Sequence, residues 1–467
     1  MTTSTQKPLR LAYYADDFTG STDALQVLSR AGLRARLFLK PPTPEQLADL
    51  PPLDAIGVAG HSRSLPTAEL EPTLRPVFES LRLLAPRHVH YKVCSTFDSS
   101  PRLGSIGRAM EIGRTAFAAP YIPIVVGSPT LGRWCAFGNL FARYGIGSQG
   151  AVYRLDRHPA MRNHPVTPAS ESDLRLLLAE QTKLPIGLVD LTRLDGPLEG
   201  CLAELKRQRQ AGALGVLFDA MTEAHLQRIG QVLEYSAGRH APLFSVGSSG
   251  IESALAAQWQ SAEQAPSDTL PASDKPLLVI AGSCSPVTAE QIDHALGNGF
   301  VDAPLDAGAL LAETGGAAVI ATCLRSVHTA LVAGRSVIVH SSRGADDPRR
   351  AETARALAKS GQRREKLTML IGDALGQIAF ACRQAKLIDR VCIAGGDTSS
   401  YAGQAMGLES FMMLQDFWPG APICLASSAD PIANGLQVVF KGGQVGGVDF
   451  FPRLANTNRT TNDSQTS

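Results

Sequence analysis

Two adjacent carboxylates, Asp16 and Asp17, follow an apolar run from Leu9 to Tyr14 and precede a helical pattern that stops at Gly32. The nine residues Ala15 to Asp23 hold three carboxylates and three hydroxyls around Gly20. Neighbouring aspartates repel each other and require cations, solvent or ligand hydroxyls. One reading of the segment is helix capping, with Asp17 or Thr19 bonding the first free amides. The other is proton chemistry on a hydroxyl group. The density of polar groups favours the second, so Asp16 and Asp17 are the candidate catalytic residues. Two further polar loops of this half follow apolar runs, Gly60 to Ser64 and Tyr91 to Ser100. Arg63 and Lys92 suit a substrate carboxylate, arginine by its planar fork and lysine as a point charge. Asp98 suits sugar hydroxyls. In the polar turn Arg162 to Pro168, His164 reads either as a surface histidine or as a ligand contact.

The second half has a different chemistry. Gly282-Ser283-Cys284-Ser285, Gly395-Gly396-Asp397-Thr398-Ser399-Ser400 and Lys441-Gly442-Gly443-Gln444-Val445-Gly446-Gly447 each follow an apolar run. Free amides at a strand-to-helix turn receive phosphate, and glycine lets the backbone approach it. None of the three is a Walker A loop or a Gly-x-Gly-x-x-Gly fingerprint. One such loop is most often a tight turn, whereas three in one half suit a nucleotide.

These loops require strands and helices in alternation. Short apolar runs at 34–39, 55–59, 89–93, 122–126, 186–189 and 215–218 read as strands, and Leu70 to Leu84 and Leu198 to Gln210 as helices. Past residue 276 the runs 277–281, 337–339 and 391–394 are strands, joined by helices over 287–296 and through 367–378. The expected fold class is α/β, with two domains, each a mostly parallel sheet flanked by helices, and the active site in the cleft between them. Loss of periodicity and three prolines over 261–276 mark a linker. The domains are then 1–260 and 277–454, and the polar tail 455–467 is expected to be disordered.

At 467 residues the chain exceeds a single core. A net charge of +1 excludes a broad field directed at nucleic acid or membrane. The eight cysteines stand singly without zinc-site spacing, so no metal site is expected. No segment reads as a signal peptide or a membrane span, which suggests a cytoplasmic protein.

The segments Ala15–Asp23, Lys92–Ser100, His164–Pro168, Gly282–Ser285, Gly395–Ser399 and Asp449-Phe450-Phe451 together resemble the four-carbon acid sugar kinases, in order and spacing, over about residues 9 to 452. The resemblance implies an N-terminal domain that binds a sugar acid and a C-terminal domain that binds ATP. It implies phosphorylation of the terminal hydroxyl of a threonate, erythronate or 3-oxo-tetronate, within carbohydrate acid catabolism. ATP contacts are implied at Ser283, Ser285, Gly395, Gly396, Asp397, Thr398 and Gly443; the candidate substrate contacts are Arg63, Lys92, Ser95, Thr96, Asp98 and His164. The cofactors are then ATP and Mg2+ carried by the nucleotide, the partners are small molecules, and a homo-oligomer is left open. Where the family reads Lys-Ser-Gly-Asn-Phe-Gly, this chain has Lys441 to Gly446 with Gly442, Gln444 and Val445. Gly-Arg-Thr becomes Gly132-Arg133-Trp134, and Arg-His-His-Pro becomes Arg162-Asn163-His164-Pro165. The competing readings are a sugar-acid sensor without catalysis and an α/β dehydrogenase, the latter opposed by the missing dinucleotide fingerprint.

Overall fold

Leu11-Ala12-Tyr13-Tyr14-Ala15 is buried along its whole length. A strand buried on both faces belongs inside a parallel sheet with helices on each side. The computed structural model describes residues 9–144, 150–164, 167–238, 241–259, 273–312, 315–344 and 347–457. Residues 261–272 of the expected linker and 458–467 of the expected tail lie outside them; Ala455 and Asn456 belong to the helix Phe450–Asn456. The chain divides into two compact units, Met1–Pro266 and Ser267–Ser467.

In the first unit the strands are β1 (Leu11–Ala15), β2 (Ala35–Phe38), β3 (Ala55–Ala59), β4 (His88–Lys92), β5 (Ile122–Val125), β6 (Arg133–Ala136), β7 (Asn139–Arg143), β8 (Val152–Arg154), β9 (Ile186–Val189), β10 (Gly215–Phe218) and β11 (Leu243–Gly247). Eight of them pair in parallel in the order β2-β3-β1-β4-β11-β5-β10-β9. The sequence expectation omitted β11, because its Ser245 and Gly247 interrupt the apolar run. It also omitted β6, β7 and β8, a small antiparallel sheet whose strands alternate rather than run apolar. Tyr14, Phe78, Tyr91, Phe117 and Phe244 form an aromatic cluster under the sheet, with edge-to-face and stacked contacts. A Cβ at Gly113 would lie 2.1 Å from the Phe244 ring, so glycine lets the helix Ile106–Ala116 seat on that cluster.

The second unit contains β12 (Leu278–Ala281), β13 (Val301–Pro304), β14 (Val337–His340), β15 (Arg390–Ala394), β16 (Ser410–Trp418), β17 (Ala421–Ser427) and β18 (Gln437–Lys441). Strands β13-β14-β12-β15-β18 are parallel, and β17 and β16 follow antiparallel. The hairpin β16–β17 carries register shifts at Gln415, which blurs the period-two pattern in sequence. Gly372 and Gly376 let the helix Arg364–Gln384 approach the helix Gly396–Ala405; a Cβ at Gly376 would lie 2.6 Å from the Ala402 carbonyl. The helix Gly315–Val332 is, by length and composition, apolar enough to cross a membrane, against the sequence expectation that no segment was. It buries Cys323, Val327, Ala330 and Leu331 and packs beside β13, β14 and the helix Arg364–Gln384.

Both sheets change strand direction beside their first strand. From β1 the chain crosses to β2, returns to place β3 between β2 and β1, then adds β4 on the other side of β1. In the second unit, β12 has β14 and β13 on one side and β15 on the other. Open α/β sheets hold ligands beyond the carboxyl ends of strands at such reversals. The reversal at β1 is followed by Asp16 and Asp17, and that at β12 by Gly282 to Ser285.

Close backbone approach in the first sheet sets a stability prediction. A Cβ on Gly247 would lie 1.9 Å from the Val125 carbonyl oxygen. Gly247→Ala is expected to destabilise this unit by about 2 kcal/mol or more, since overpacking against backbone has no rotamer escape. Thermal unfolding of the full chain measures it, and an unchanged Tm would contradict this strand packing.

Candidate active site

Three loops of the first unit meet at the carboxyl end of β1. The Asp16 amide donates to the Lys92 carbonyl at the end of β4 (2.8 Å), and the Arg63 amide donates to the Asp16 carbonyl (3.0 Å). Arg63 lies in the short 3-10 turn Ser62–Ser64 after β3. These bonds bring the Arg63 side chain onto the aspartate pair. Its Nε and Nη2 donate to Asp16 Oδ2 (3.2 Å) and Oδ1 (2.6 Å), and Nη2 donates also to Asp17 Oδ1 (2.8 Å). One guanidinium thus neutralises part of two carboxylates. Gly104, at φ +58°, admits the next loop over Arg63, because a Cβ there would be 2.4 Å from the Arg63 carbonyl.

The two aspartates are driven apart in acidity. Asp17 is the N-cap of the helix Phe18–Arg30 and accepts from the Gly20 amide (2.8 Å) and from Thr19 Oγ1 (2.6 Å). Arg63 and these two donors hold its pKa below the ordinary carboxylate value despite burial. Asp16 lacks those donors; burial pushes its pKa up to about 6, against the pull of Arg63. Capping therefore falls to Asp17, and Thr19 supports it. Asp23 instead faces the buried Lys92, whose Nζ lies 3.4 Å from Asp23 Oδ2 and donates to the Val93 carbonyl (3.2 Å). The charges of Asp23 and Glu252 hold the Lys92 pKa above its ordinary value against burial.

The loop after β4 turns sharply. The Phe97 amide donates to the Cys94 carbonyl, and Phe97 is buried at φ +58°. A buried non-glycine residue in that region stores strain of the kind found at ligand sites. Ser95 and Thr96 are buried in this turn, and Thr96 Oγ1 lies 3.0 Å from the Cys94 thiol. Burial pushes that thiol up to about 11, so it stays protonated. Asp98 leaves Oδ1 buried without a hydrogen bond. His164 stands apart from this arrangement: its Nδ1 accepts from the Thr167 amide (3.0 Å), which braces its own turn. A surface depression beside the loop is lined by Thr96, Asp98, Met161, Thr167 and Gln181.

In the second unit the three glycine loops chosen from sequence converge. A Cβ on Gly282 would sit 2.0 Å from Thr398 Oγ1, one on Gly395 3.1 Å from the Ser283 amide, and one on Gly443 3.0 Å from Ser283 Oγ and Ser285 Cβ. Gly395 has φ +123°, a region that side chains avoid. The helices Pro286–Gly297 and Gly396–Ala405 both start without a side-chain cap. Beyond Pro286, which has no N–H, their first-turn amides take no side-chain cap, with the Asp397 backbone and Thr398 in the first turn of the second. Two uncapped helix ends and a glycine floor fit phosphate oxygens. Ser285 donates its amide to Ser283 Oγ (3.2 Å), and Gln444 Nε2 donates to Ser285 Oγ (3.2 Å).

Lys441 was quoted in sequence but given no role. Its side chain is fully buried, and Nζ donates to Thr288 Oγ1 (3.2 Å) and the Gly442 carbonyl (3.0 Å), while Thr288 Oγ1 donates to the Gly443 carbonyl (3.1 Å). This chain ties the third glycine loop to the helix Pro286–Gly297. Burial lowers the Lys441 pKa to about 7, against the opposing pull of Cys392, and the rings of Phe450 and Phe451 lie beside its ammonium. Arg133, His158, His90 and Glu252 also escaped the sequence reading. His90 Nδ1 meets Glu252 Oε1 at 2.6 Å, both fully buried. Their signal lies in tertiary contact between distant segments, which residue type alone does not show.

A family model for a sugar-binding N-terminal domain matches residues 11–255, and one for a nucleotide-binding C-terminal domain matches residues 278–451. The chain belongs to the four-carbon acid sugar kinase family. It is 41% identical over 447 residues to the 3-oxo-isoapionate kinase of Paraburkholderia graminis, covering 95% of this chain and 93% of that protein. It is 30% identical to the 3-oxo-tetronate kinase of Methylobacterium radiotolerans, covering 95% of this chain and 98% of the relative. The crystal structure of Haemophilus influenzae protein HI1011 superposes with a TM-score of 0.67 at 21% identity, covering 96% of this chain and all of that one, and shares the fold.

The Lys441 site carries a pH prediction. A lysine with a folded pKa near 7 and an ordinary unfolded value releases its proton earlier in the folded chain. The unfolded state therefore binds more protons between pH 7 and about 10, and stability rises with pH across that window. The Tm of Lys441→Met minus that of the wild type should fall as pH rises from 7 toward 10. A pH-independent difference would contradict the buried, uncompensated ammonium.

Proposed function

We propose that this protein transfers the γ-phosphoryl group of ATP to a terminal hydroxyl of a 3-oxo sugar acid, with 3-oxo-isoapionate the leading substrate and a 3-oxo-tetronate the second. The observation that carries this reading is the Arg63-bridged pair Asp16 and Asp17 at the strand-order reversal of the sugar-binding unit. The names of the relatives that match across nearly the whole chain support it. Phosphoryl transfer needs positioning and charge neutralisation more than covalent chemistry.

Asp16 is the general base in this reading. A carboxylate with a pKa near 6 accepts a hydroxyl proton better than one held low, and the best catalytic pKa lies near the working pH. Asp17, fixed as the helix cap, helps to hold Arg63 in place, and Arg63 favours the ionised form of Asp16 against burial and the charge of Asp17. Ser95, Thr96 and Asp98 line the acceptor side. Ser283, Ser285, Gly395, Gly396, Asp397, Thr398 and Gly443 cradle the nucleotide phosphates through open amides and hydroxyls. Among the described residues no group of three histidine, cysteine, aspartate or glutamate side chains is placed to hold a metal. Mg2+ carried by the nucleotide would supply neutralisation of phosphate charge, a role Mg2+ commonly fills with few protein ligands.

ADP release measured with ATP-Mg2+ and a panel of 3-oxo-isoapionate, 3-oxo-tetronates, threonate and erythronate tests the proposal. Stimulation by at least one 3-oxo acid is expected, and no stimulation by any would overturn it. Asp16→Asn should lower kcat by about 100-fold or more with the fold retained. In the wild type, kcat/KM should drop about tenfold per pH unit below about pH 6, because protonated Asp16 cannot accept the hydroxyl proton. A flat profile down to pH 5 would remove Asp16 from the base role.

A further inference from the structure

Lys441 ends β18 with a fully buried side chain that the proposed reaction leaves without a role. Its Nζ donates to two neutral oxygens, Thr288 Oγ1 (3.2 Å) and the Gly442 carbonyl (3.0 Å). Among the described residues no carboxylate forms an ion pair with it. The elements packed around it supply no counter-charge. Cys392 of β15 and Cys424 of β17 are thiols that burial pushes up to about 12, so both stay neutral. Arg390 of β15 donates to Gln437 and to the Leu454 carbonyl. The helix Pro286–Gly297 presents Thr288 and Gln291; its Glu290 and Asp293 are exposed, Asp293 pairs with Arg343, and His294 lies in the last turn. On the helix Gly396–Ala405, Asp397 belongs to the cradle and Tyr401 packs on Gly372. The rings of Phe450 and Phe451 lie 5.8 and 5.9 Å from Nζ, and beside them Asp449 and Arg453 pair with each other. An ammonium buried without a counter-ion is costly, and the neutral amine is favoured in its place.

The amine stands directly behind the phosphate cradle. Thr288 lies in the first turn of the helix Pro286–Gly297, and its Oγ1 donates in turn to the Gly443 carbonyl (3.1 Å). Gln291, about one turn on, donates from Nε2 to the carbonyls of Val445 (3.0 Å) and Gly447 (2.9 Å), so the loop is fastened along its length. At its front Gly443 closely approaches Ser283 and Ser285, since a Cβ there would lie 3.0 Å from Ser283 Oγ and Ser285 Cβ. Lys441 is thus two hydrogen bonds from the backbone that faces both serines. A polyanion seated on those loops supplies the counter-charge that the fold itself leaves out. With a pKa near 7 in the free chain, Lys441 is mostly neutral at about pH 8, and phosphate charge close by favours the ammonium again.

We propose that Lys441 couples nucleotide binding to proton uptake: when ATP-Mg2+ binds the second unit, the Lys441 amine takes a proton from solvent, and the ammonium so formed fixes the third glycine loop through Thr288 and the Gly442 carbonyl. The lone pair on Nζ receives the proton, and no other covalent bond forms or breaks. Lys441 is then a positioning residue, since it acts on the phosphates through the loop. The proposal rests on the reading of this unit as the ATP site. Linkage fixes the sign: above about pH 7 the complex holds more protons than the free chain, so affinity for ATP falls as pH rises.

Calorimetry of the full chain with ATP-Mg2+ and no acceptor, in buffers of different ionisation enthalpy at about pH 8, counts the protons. The wild type should take up roughly half a proton, and its Kd should rise about tenfold between about pH 7 and 9. In Lys441→Met the uptake should vanish, and the factor by which its Kd exceeds that of the wild type should shrink about tenfold over the same range. Lys441→Arg stays charged throughout and should show no uptake and no such loss of affinity with pH. Binding by the wild type without proton uptake would overturn the proposal, as would uptake that persists in either variant. A Kd ratio between Lys441→Met and wild type that is the same at both pH values would reduce Lys441 to a structural brace and also overturn it. Where a variant fails to fold, the wild-type proton count still decides. The kinase reading fails in other ways: no binding of ATP-Mg2+ at any pH overturns both, whereas nucleotide binding without ADP release on any acid overturns the sugar-acid reading alone.

Discussion

Two carboxylates on consecutive residues at the buried end of a strand would repel each other by several kcal/mol if nothing intervened. The guanidinium of Arg63 is what lets them coexist. Its placement depends on nearly every local feature of the first unit. The parallel register of β1 between β3 and β4 brings the Asp16 backbone within reach of both Lys92 and Arg63. Gly20 keeps space around Asp17 Oδ1 and Lys92 Nζ, since a Cβ there would lie 2.6 Å from the former and 3.3 Å from the latter. The outcome is an asymmetric pair. Asp17 is locked as a helix cap and held acidic, while Asp16 is left with fewer donors and a raised pKa. In the proposed reading, that division converts a repulsive dipeptide into a base and its support.

The second unit solves the opposite problem with the same architecture. An anion of several charges must be held, and the chain supplies few cations at the loops for it. In the proposed reading, two helix starts without side-chain caps, three glycine loops in mutual contact and a buried lysine behind them do the work instead. Backbone amides need no desolvation of a formal charge, so they can face phosphate at lower cost than buried ion pairs. The lysine braces the third loop through Thr288 and the Gly442 carbonyl. The substitutions at Gly442, Gln444 and Val445 leave this bracing intact, because Lys441 and the backbone carbonyls make it.

Much of this was legible in the chain itself. The three glycine loops could be placed because each combines a buried, largely apolar strand with a glycine-rich turn, and both halves of that signal are local. The Asp16-Asp17 segment was legible for the same reason. Its capping was left between Asp17 and Thr19: Asp17 carries it, and Asp23 turns to Lys92. Arg63 was recognised as a site residue but given the substrate's carboxylate, because nothing local says that its fork is already filled by residues 46 and 47 positions away. Arg133 was given no role; it lies on the small antiparallel sheet, where its Nη1 reaches the Arg143 carbonyl. That sheet and the β16–β17 hairpin went unread because alternating and bulged strands lack the continuous apolar run of buried parallel ones.

The central claim is that Asp16, and not its neighbour, faces the reacting hydroxyl. A crystal structure of the full chain with the sugar acid and a non-hydrolysable ATP analogue tests it most directly. The account predicts the terminal hydroxyl oxygen within about 2.6–3.2 Å of an Asp16 carboxylate oxygen, with Asp17 still bonded to the Gly20 amide and Arg63 bridging the two. A hydroxyl seated on Asp17, or on neither aspartate, would contradict it.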